Sequence, residues 1–219
     1  MDRKREIIKK INSLSGSRSP YEVFCDWVEL MALSLQNSCQ ILQGPVWKKR
    51  EETYKQLIKP YGESGREFVK MFEMLVETLE TEMTDVLGDI YMLGGMGNKN
   101  TGQFFTPFNL SLACAKLIVP KLSVGERWTL NEPSCGGGGM IIAAARALKE
   151  QGINYQQQMR VVAQDLDWKA VYMCYVQLSL LGIDAVVVQG NTLAEPWTPY
   201  SNTPPERVWY TPVRMGVLI

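Results

Sequence analysis

The sequence predicts an α/β fold in which a parallel sheet of Rossmann type is preceded by an α-helical bundle, and three features carry that prediction. From Met1 to about Asn100 apolar residues recur every three or four positions, the period of helices buried on one face. After Lys99 the rhythm changes to short β-branched runs alternating with helical segments, as strands joined by crossover helices do. A run of four glycines, Gly136 to Gly139, stands where the first strand would hand over to the first crossover helix. The expected division is a helical domain over 1–100 and a Rossmann-like domain over 101–219.

The helical half is punctuated as separate helices should be. One apolar stripe comprises Tyr21, Phe24, Cys25, Val28, Met31, Ala32 and Leu35, and another Phe68, Met71, Met74, Leu75, Leu79 and Met83. Pro45 and Pro60 interrupt helices, and Gly94, Gly95 and Gly97 end the last long one. In the second half, strands are expected over Trp128 to Asn131, Arg160 to Gln164 and Asp184 to Gln189. Helices are expected from about Met140 to Gln151 and from about Trp168 to Leu181, the latter capped by Asp167. A strand is credible at Arg207 to Tyr210.

Composition excludes several chemistries. The 219 residues contain no histidine, which rules out Ser-His and Cys-His nucleophile systems and His-metal sites. Five cysteines, Cys25, Cys39, Cys114, Cys135 and Cys174, form no CxxC pair and read as buried thiols, so no metal site is expected. Net charge is zero, and no global basic field advertises nucleic acid. The clusters Arg3, Lys4, Arg5, Lys9, Lys10 and Lys48, Lys49, Arg50, Lys55 read as solvated helix faces. No apolar run approaches the roughly 20 residues of a spanning helix, so no membrane partner is expected. MDRKREIIKKINSL has no apolar signal core, and a cytoplasmic location follows as an expectation.

The glycine run sits at the carboxyl end of a strand, where ligands of such sheets bind and where a helix N-terminus offers free N–H groups. No lysine follows until Lys149, so the run is not a phosphate-binding P-loop, and GxGxxG is not completed. The loop opens instead on an acid, Glu132, and a second acid, Asp165, ends the next strand where a ribose would present hydroxyls. Acid, glycines, acid is the arrangement expected for S-adenosylmethionine.

Four segments carry a resemblance: GQFFTP (Gly102 to Pro107), EPSCGGGGM (Glu132 to Met140), AQDLD (Ala163 to Asp167) and GNTL (Gly190 to Leu193). In order and spacing they resemble the N6-adenine DNA methyltransferases, and the modification subunits of type I restriction systems in particular. The likeness spans roughly Asp85 to Leu193 and implies a Rossmann-like domain that binds S-adenosylmethionine. It implies that Gln103, Phe104, Phe105, Thr106 and Pro107 lie beside the methionine portion of the cofactor, Thr106 against its carboxylate. Glu132, in place of the family's usual Asp, would accept from the ammonium group. Ser134, Gly136, Gly137, Gly138 and Gly139 would form the loop under the cofactor, Asp165 would meet the ribose, and Asn191, where the family commonly has Asp, the adenine amino group.

The chain departs from the family at the catalytic motif. Members carry Asn-Pro-Pro-Phe or Tyr directly after the fourth strand, where it holds the N6 amine of a flipped adenine; neither sequence occurs here. Two segments come near. Asn202-Thr203-Pro204-Pro205 follows no credible strand, whereas Thr211-Pro212 follows Arg207 to Tyr210 and is the favoured alignment, with Thr211 in place of the amide. The family also continues with three more strands and helices, so a fragment of a longer protein and a reduced relative are both expected from the end at Ile219. The resemblance implies DNA as substrate and restriction-system specificity and nuclease subunits as partners. It leaves open an adenine methyltransferase and a binding or regulatory module that keeps the cofactor pocket without the reaction.

Overall fold

The computed structural model describes residues 2–96, 105–123 and 125–217. Five helices come first: α1 (Arg3–Leu14), α2 (Pro20–Ser38), α3 (Pro45–Ile58), α4 (Arg66–Thr81) and α5 (Val86–Leu93). A sixth, α6 (Phe108–Ile118), precedes the sheet. There follow β1 (Trp128–Glu132), α7 (Gly139–Glu150), the single turn α8 (Tyr155–Gln158), β2 (Met159–Asp165), α9 (Trp168–Leu180), β3 (Asp184–Gln189) and β4 (Val208–Tyr210). None of the described helices is long and apolar enough to cross a membrane.

Local signals set the helix ends. Ser19 caps α2 in a reciprocal box with Glu22, and Pro20 occupies the first turn, where its missing N–H has no partner to lose. Asp167 caps α9 through the Lys169 N–H at 2.9 Å. The basic residues of α1 work as ties: Arg3 pairs with Glu77 of α4, Lys10 with Glu67, and Lys4 with Glu82 and Asp89.

The sheet has four strands in the order β1-β2-β3-β4. β1 to β3 are parallel, with Glu132 level with Ala163 and Asp165 level with Gln189. This brings the ends carrying Glu132 and Asp165 to one side. The parallel sheet of the sequence reading carries one antiparallel edge strand, β4, with Val208 opposite Val188 and Tyr210 opposite Val186. A reversal needs only a surface loop from Gly190 to Arg207 and no crossover helix.

Alternation along β3 separates two faces. Ala185 and Val187 face the helices, while Val186 and Val188 pack with Val208 under Trp197. The helical half is built into the same core: Trp27, Phe24 and Met71 belong to one cluster with Ile141, Val161 and Tyr175. α2 lies against α9 as well as α3, which is why Val23, Trp27, Leu30 and Leu33 are buried beside the single stripe the spacing predicts. Of the cysteines, Cys135 and Cys174 are buried and the other three only partly so. One basic residue breaks the solvated-face reading, because Arg50 is 7% exposed while Lys48, Lys49 and Lys55 face solvent.

Candidate functional site

The turn between β1 and α7 is built from backbone bonds that cross strands. The Cys135 N–H donates to the Gln164 carbonyl at 3.0 Å, which lashes the turn to the end of β2. The Gly136 N–H donates to Asp165 Oδ2 at 2.9 Å, and the Asp167 N–H to Oδ1 of the same carboxylate at 3.0 Å. The Gly190 N–H reaches the Asp165 carbonyl at 2.8 Å, and the Thr192 hydroxyl donates to the Pro133 carbonyl at 2.7 Å. Asp165 therefore gathers the ends of β1, β2 and β3. Each of its oxygens accepts one N–H and keeps a lone pair for another donor.

The four glycines each have a local reason. Gly136 and Gly138 adopt φ of +51° and +92°, the left-handed region where a side chain is strained. At Gly137 a Cβ would stand 2.9 Å from Asp85 Oδ1, and at Gly139 3.1 Å from Asp85 Oδ2. The turn is thus pressed from inside by a carboxyl group that sequence reasoning missed. Asp85 is 4% exposed and caps α5 through the Gly88 N–H at 2.9 Å. Gln177 of α9 donates to Asp85 Oδ1 at 2.8 Å and to the Gly137 carbonyl at 2.7 Å, while its own carbonyl accepts the Leu87 N–H. Burial pushes the Asp85 carboxyl above the usual carboxylate range. Its sequence signal is a cap before an apolar run, and that of Gln177 a lone amide among apolar helix residues.

Beside the turn lies a small cavity of about 90 Å³ lined by Asp85, Phe105, Thr106, Ser111, Ser134 and the glycine backbone. Ser111 has no exposed surface, and its hydroxyl has no hydrogen-bond partner among the described residues. Phe105 covers Gly136, within 3.1 Å of a Cβ there, and packs edge-on to Tyr91 at 5.1 Å. Pro107 caps α6. Gln103 and Phe104 lie outside the described residues.

Glu132 is part-buried, which raises its carboxyl from the ordinary value; the nearby Asp165 charge adds to the rise. Asn191 is exposed at the same end of the sheet, its side-chain oxygen accepting the Leu193 N–H at 3.0 Å. Glu132, Ser134, Gly136 to Gly139, Asp165 and Asn191 thus come together with Phe105 and Thr106 along one edge.

Thr211 and Pro212 do not join them. Because β4 runs backwards, Thr211 lies beside Ala185 at the amino end of β3, about 13 Å along the strand from Gln189. Its hydroxyl donates to the Ile183 carbonyl at 2.7 Å and accepts the Ala185 N–H at 3.0 Å, with no exposed surface. That is a structural clasp, at the opposite end of β3 from Gln189 and the glycine turn. The other segment, Asn202 to Pro205, precedes β4 and so stands at the end of the sheet that carries the glycine turn.

With this geometry in view, residues 82–208 match the model of the N-6 DNA methylase family, more than half of the chain. The chain belongs to the N-6 DNA methylase family. Among curated relatives of this chain, the type I restriction enzyme MjaIX methylase subunit of Methanocaldococcus jannaschii is 32% identical over 110 residues, covering 48% of this chain and 19% of that subunit. A solved type I restriction-modification methyltransferase subunit from Streptococcus thermophilus overlays at a TM-score of 0.49 with 17% identity, across 91% of this chain and 41% of that one. A Listeria monocytogenes chain provisionally assigned as a class I S-adenosylmethionine-dependent methyltransferase overlays at 0.50 with 12% identity, across 96% and 67%. The last likeness is one of fold. The chain spans about a fifth of the length of its curated relative.

Proposed function

We propose that this chain is the S-adenosylmethionine-binding part of a DNA adenine-N6 methyltransferase of restriction-modification type, working in the cytoplasm with DNA and with specificity and nuclease subunits. The observation that carries the reading is the row of acceptors at the carboxyl ends of β1 and β2, with the polar cavity beside them. Glu132 and Asp165 end adjacent parallel strands, and the buried Ser111 hydroxyl has no partner of its own among the described residues.

These groups fit the cofactor's chemistry. A carboxylate at Glu132 accepts from an ammonium group by a charge-assisted bond. The free lone pairs of Asp165 suit the two hydroxyls of a ribose. The Asn191 carbonyl suits an adenine amino group, and Thr106 and Ser111 offer hydroxyls toward a carboxylate. Phe105 supplies an apolar wall over Gly136. By resemblance, Gln103 and Phe104 complete that wall. When bound, S-adenosylmethionine supplies a methyl group on a sulfonium, and the protein's task is to hold it in line with an acceptor.

The displaced Thr211 supports a second reading: a module that keeps the cofactor pocket for regulation or assembly, with no amide of its own for the target adenine. Two measurements separate these. Calorimetry with S-adenosylmethionine or S-adenosylhomocysteine should show saturable binding, weakened about 10-fold or more in Glu132→Gln through loss of a charge-assisted bond. No heat at millimolar ligand would sink both readings. Tritiated methyl groups appearing in adenine-containing DNA select the enzyme, and binding without transfer selects the module.

A further inference from the structure

A cleft of about 350 Å³ separates the α2–α3 hairpin from the chain that leads into β4, and Gln40, Arg50, Trp197, Thr203 and Tyr210 are among its walls. Arg50, on α3, holds the unusual feature. It is 7% exposed, and its Nε and Nη1 nitrogens are sealed from solvent with no hydrogen-bond partner among the described residues. Its guanidinium lies 4.8 Å over the Trp209 ring. The titratable groups that face it are the hydroxyls of Tyr172 and Tyr175 rather than a carboxylate, and burial lowers its proton affinity.

A guanidinium does not shed its proton in a protein, so this is a buried cation left without an anion. The ring beneath offers its π face and cannot accept the in-plane N–H groups. Gln36 Oε1, also buried without a donor, could accept one N–H but would leave the charge uncompensated. The rest of the cleft presents donors: the Gln40 amide and the Thr203 and Tyr210 hydroxyls have no partner among the described residues, and no acidic side chain lines the space. A buried guanidinium charge, with Nη2 as the nitrogen that is not sealed and hydroxyl and amide donors around an acid-free cleft, is the recognition chemistry of a tetrahedral oxyanion.

We propose that this cleft binds a phosphate-type oxyanion through Arg50. The site goes beyond the cofactor reading and shares none of its residues. A free phosphate ion and a phosphate of a nucleic-acid backbone present the same chemistry, and the test separates them.

The experiment measures the thermal midpoint of the full chain in inorganic phosphate, in a short single-stranded oligonucleotide and in an aspartate-rich peptide, each against chloride at equal ionic strength. At a concentration tenfold above Kd a bound oxyanion should raise the midpoint by about 4 °C. Arg50→Met, which keeps an apolar stem over Trp209, should abolish that rise, and Arg50→Lys, which keeps the charge without the fork, should shrink it. A response to inorganic phosphate identifies the free ion, and one confined to the oligonucleotide identifies the backbone. The proposal is overturned if Arg50→Met and Arg50→Lys respond as the parent does, if the parent does not respond, or if only the peptide gives an Arg50-dependent rise.

Discussion

Gly137→Ala tests the packing that explains the glycine run. The added methyl would sit 2.9 Å from Asp85 Oδ1, 3.1 Å from Oδ2 and 3.3 Å from the Met173 methyl. A comfortable carbon contact needs roughly 3.5 Å, so the shortfall toward the carboxyl is about 0.6 Å. Asp85 cannot swing away without giving up the Gly88 N–H at 2.9 Å and the Gln177 amide at 2.8 Å. Overpacking of this kind costs about 1–3 kcal/mol, a fall of about 2–10 °C in the melting midpoint for a chain of this size. Backbone strain adds nothing, because the φ of Gly137 is not in the left-handed region. The decisive measurement is a double-mutant cycle by urea denaturation. Asp85→Ala alone loses a helix cap, at about 1 kcal/mol, but it opens the space the methyl needs. Gly137→Ala should therefore cost at least about 1 kcal/mol less in that background. If the two penalties add to within about 0.5 kcal/mol, the carboxyl is not what keeps residue 137 bare, and the reasoning fails.

Two further outcomes follow from the same framework. Thr211→Val keeps the shape but strands the Ala185 N–H and the Ile183 carbonyl, so it should destabilise by about 1–3 kcal/mol and leave S-adenosylmethionine affinity unchanged; a binding loss with intact stability would restore Thr211 to the site. The raised Asp85 carboxyl means that the native state holds its proton more tightly than the unfolded chain does. The parent should therefore lose stability relative to Asp85→Asn as pH rises from about 4 through the native pKa, and urea midpoints of the two proteins that run parallel over pH 4 to 7 would contradict this.

The elements that lie close in sequence were legible. β1, β2 and β3 with their crossover helices fall where β-branched runs and helical spacing put them, because each strand is flanked by its own turn signals and buried by the next helix. Asp165 was legible as the acid that ends β2, and Asp167 as a cap two residues later. What stayed hidden depends on distant partners. Asp85 and Gln177 stand 92 positions apart, and nothing local marks two polar residues that satisfy each other in a core. Arg50 looks like its lysine neighbours until Trp209, far along the chain, closes over it. The direction of β4 was equally out of reach, since a three-residue strand reads the same whichever way it pairs.

That direction decides which residues can serve a ligand at the glycine turn. A fourth strand parallel to the others would deliver the residues after it to the turn's end of the sheet. The observed strand does the reverse: the chain enters at Val188 and leaves past Val186, so 191–207 stand at the end of the glycine turn and 211–217 at the far end. The entering segment is already engaged there, with the Gln164 amide donating to the Glu195 carbonyl and its oxygen accepting the Trp197 N–H. Gln164 also supplies the carbonyl that holds Cys135. Gln164 thus joins the 195–197 loop to the glycine turn, and Trp197 in that loop forms a wall of the Arg50 cleft.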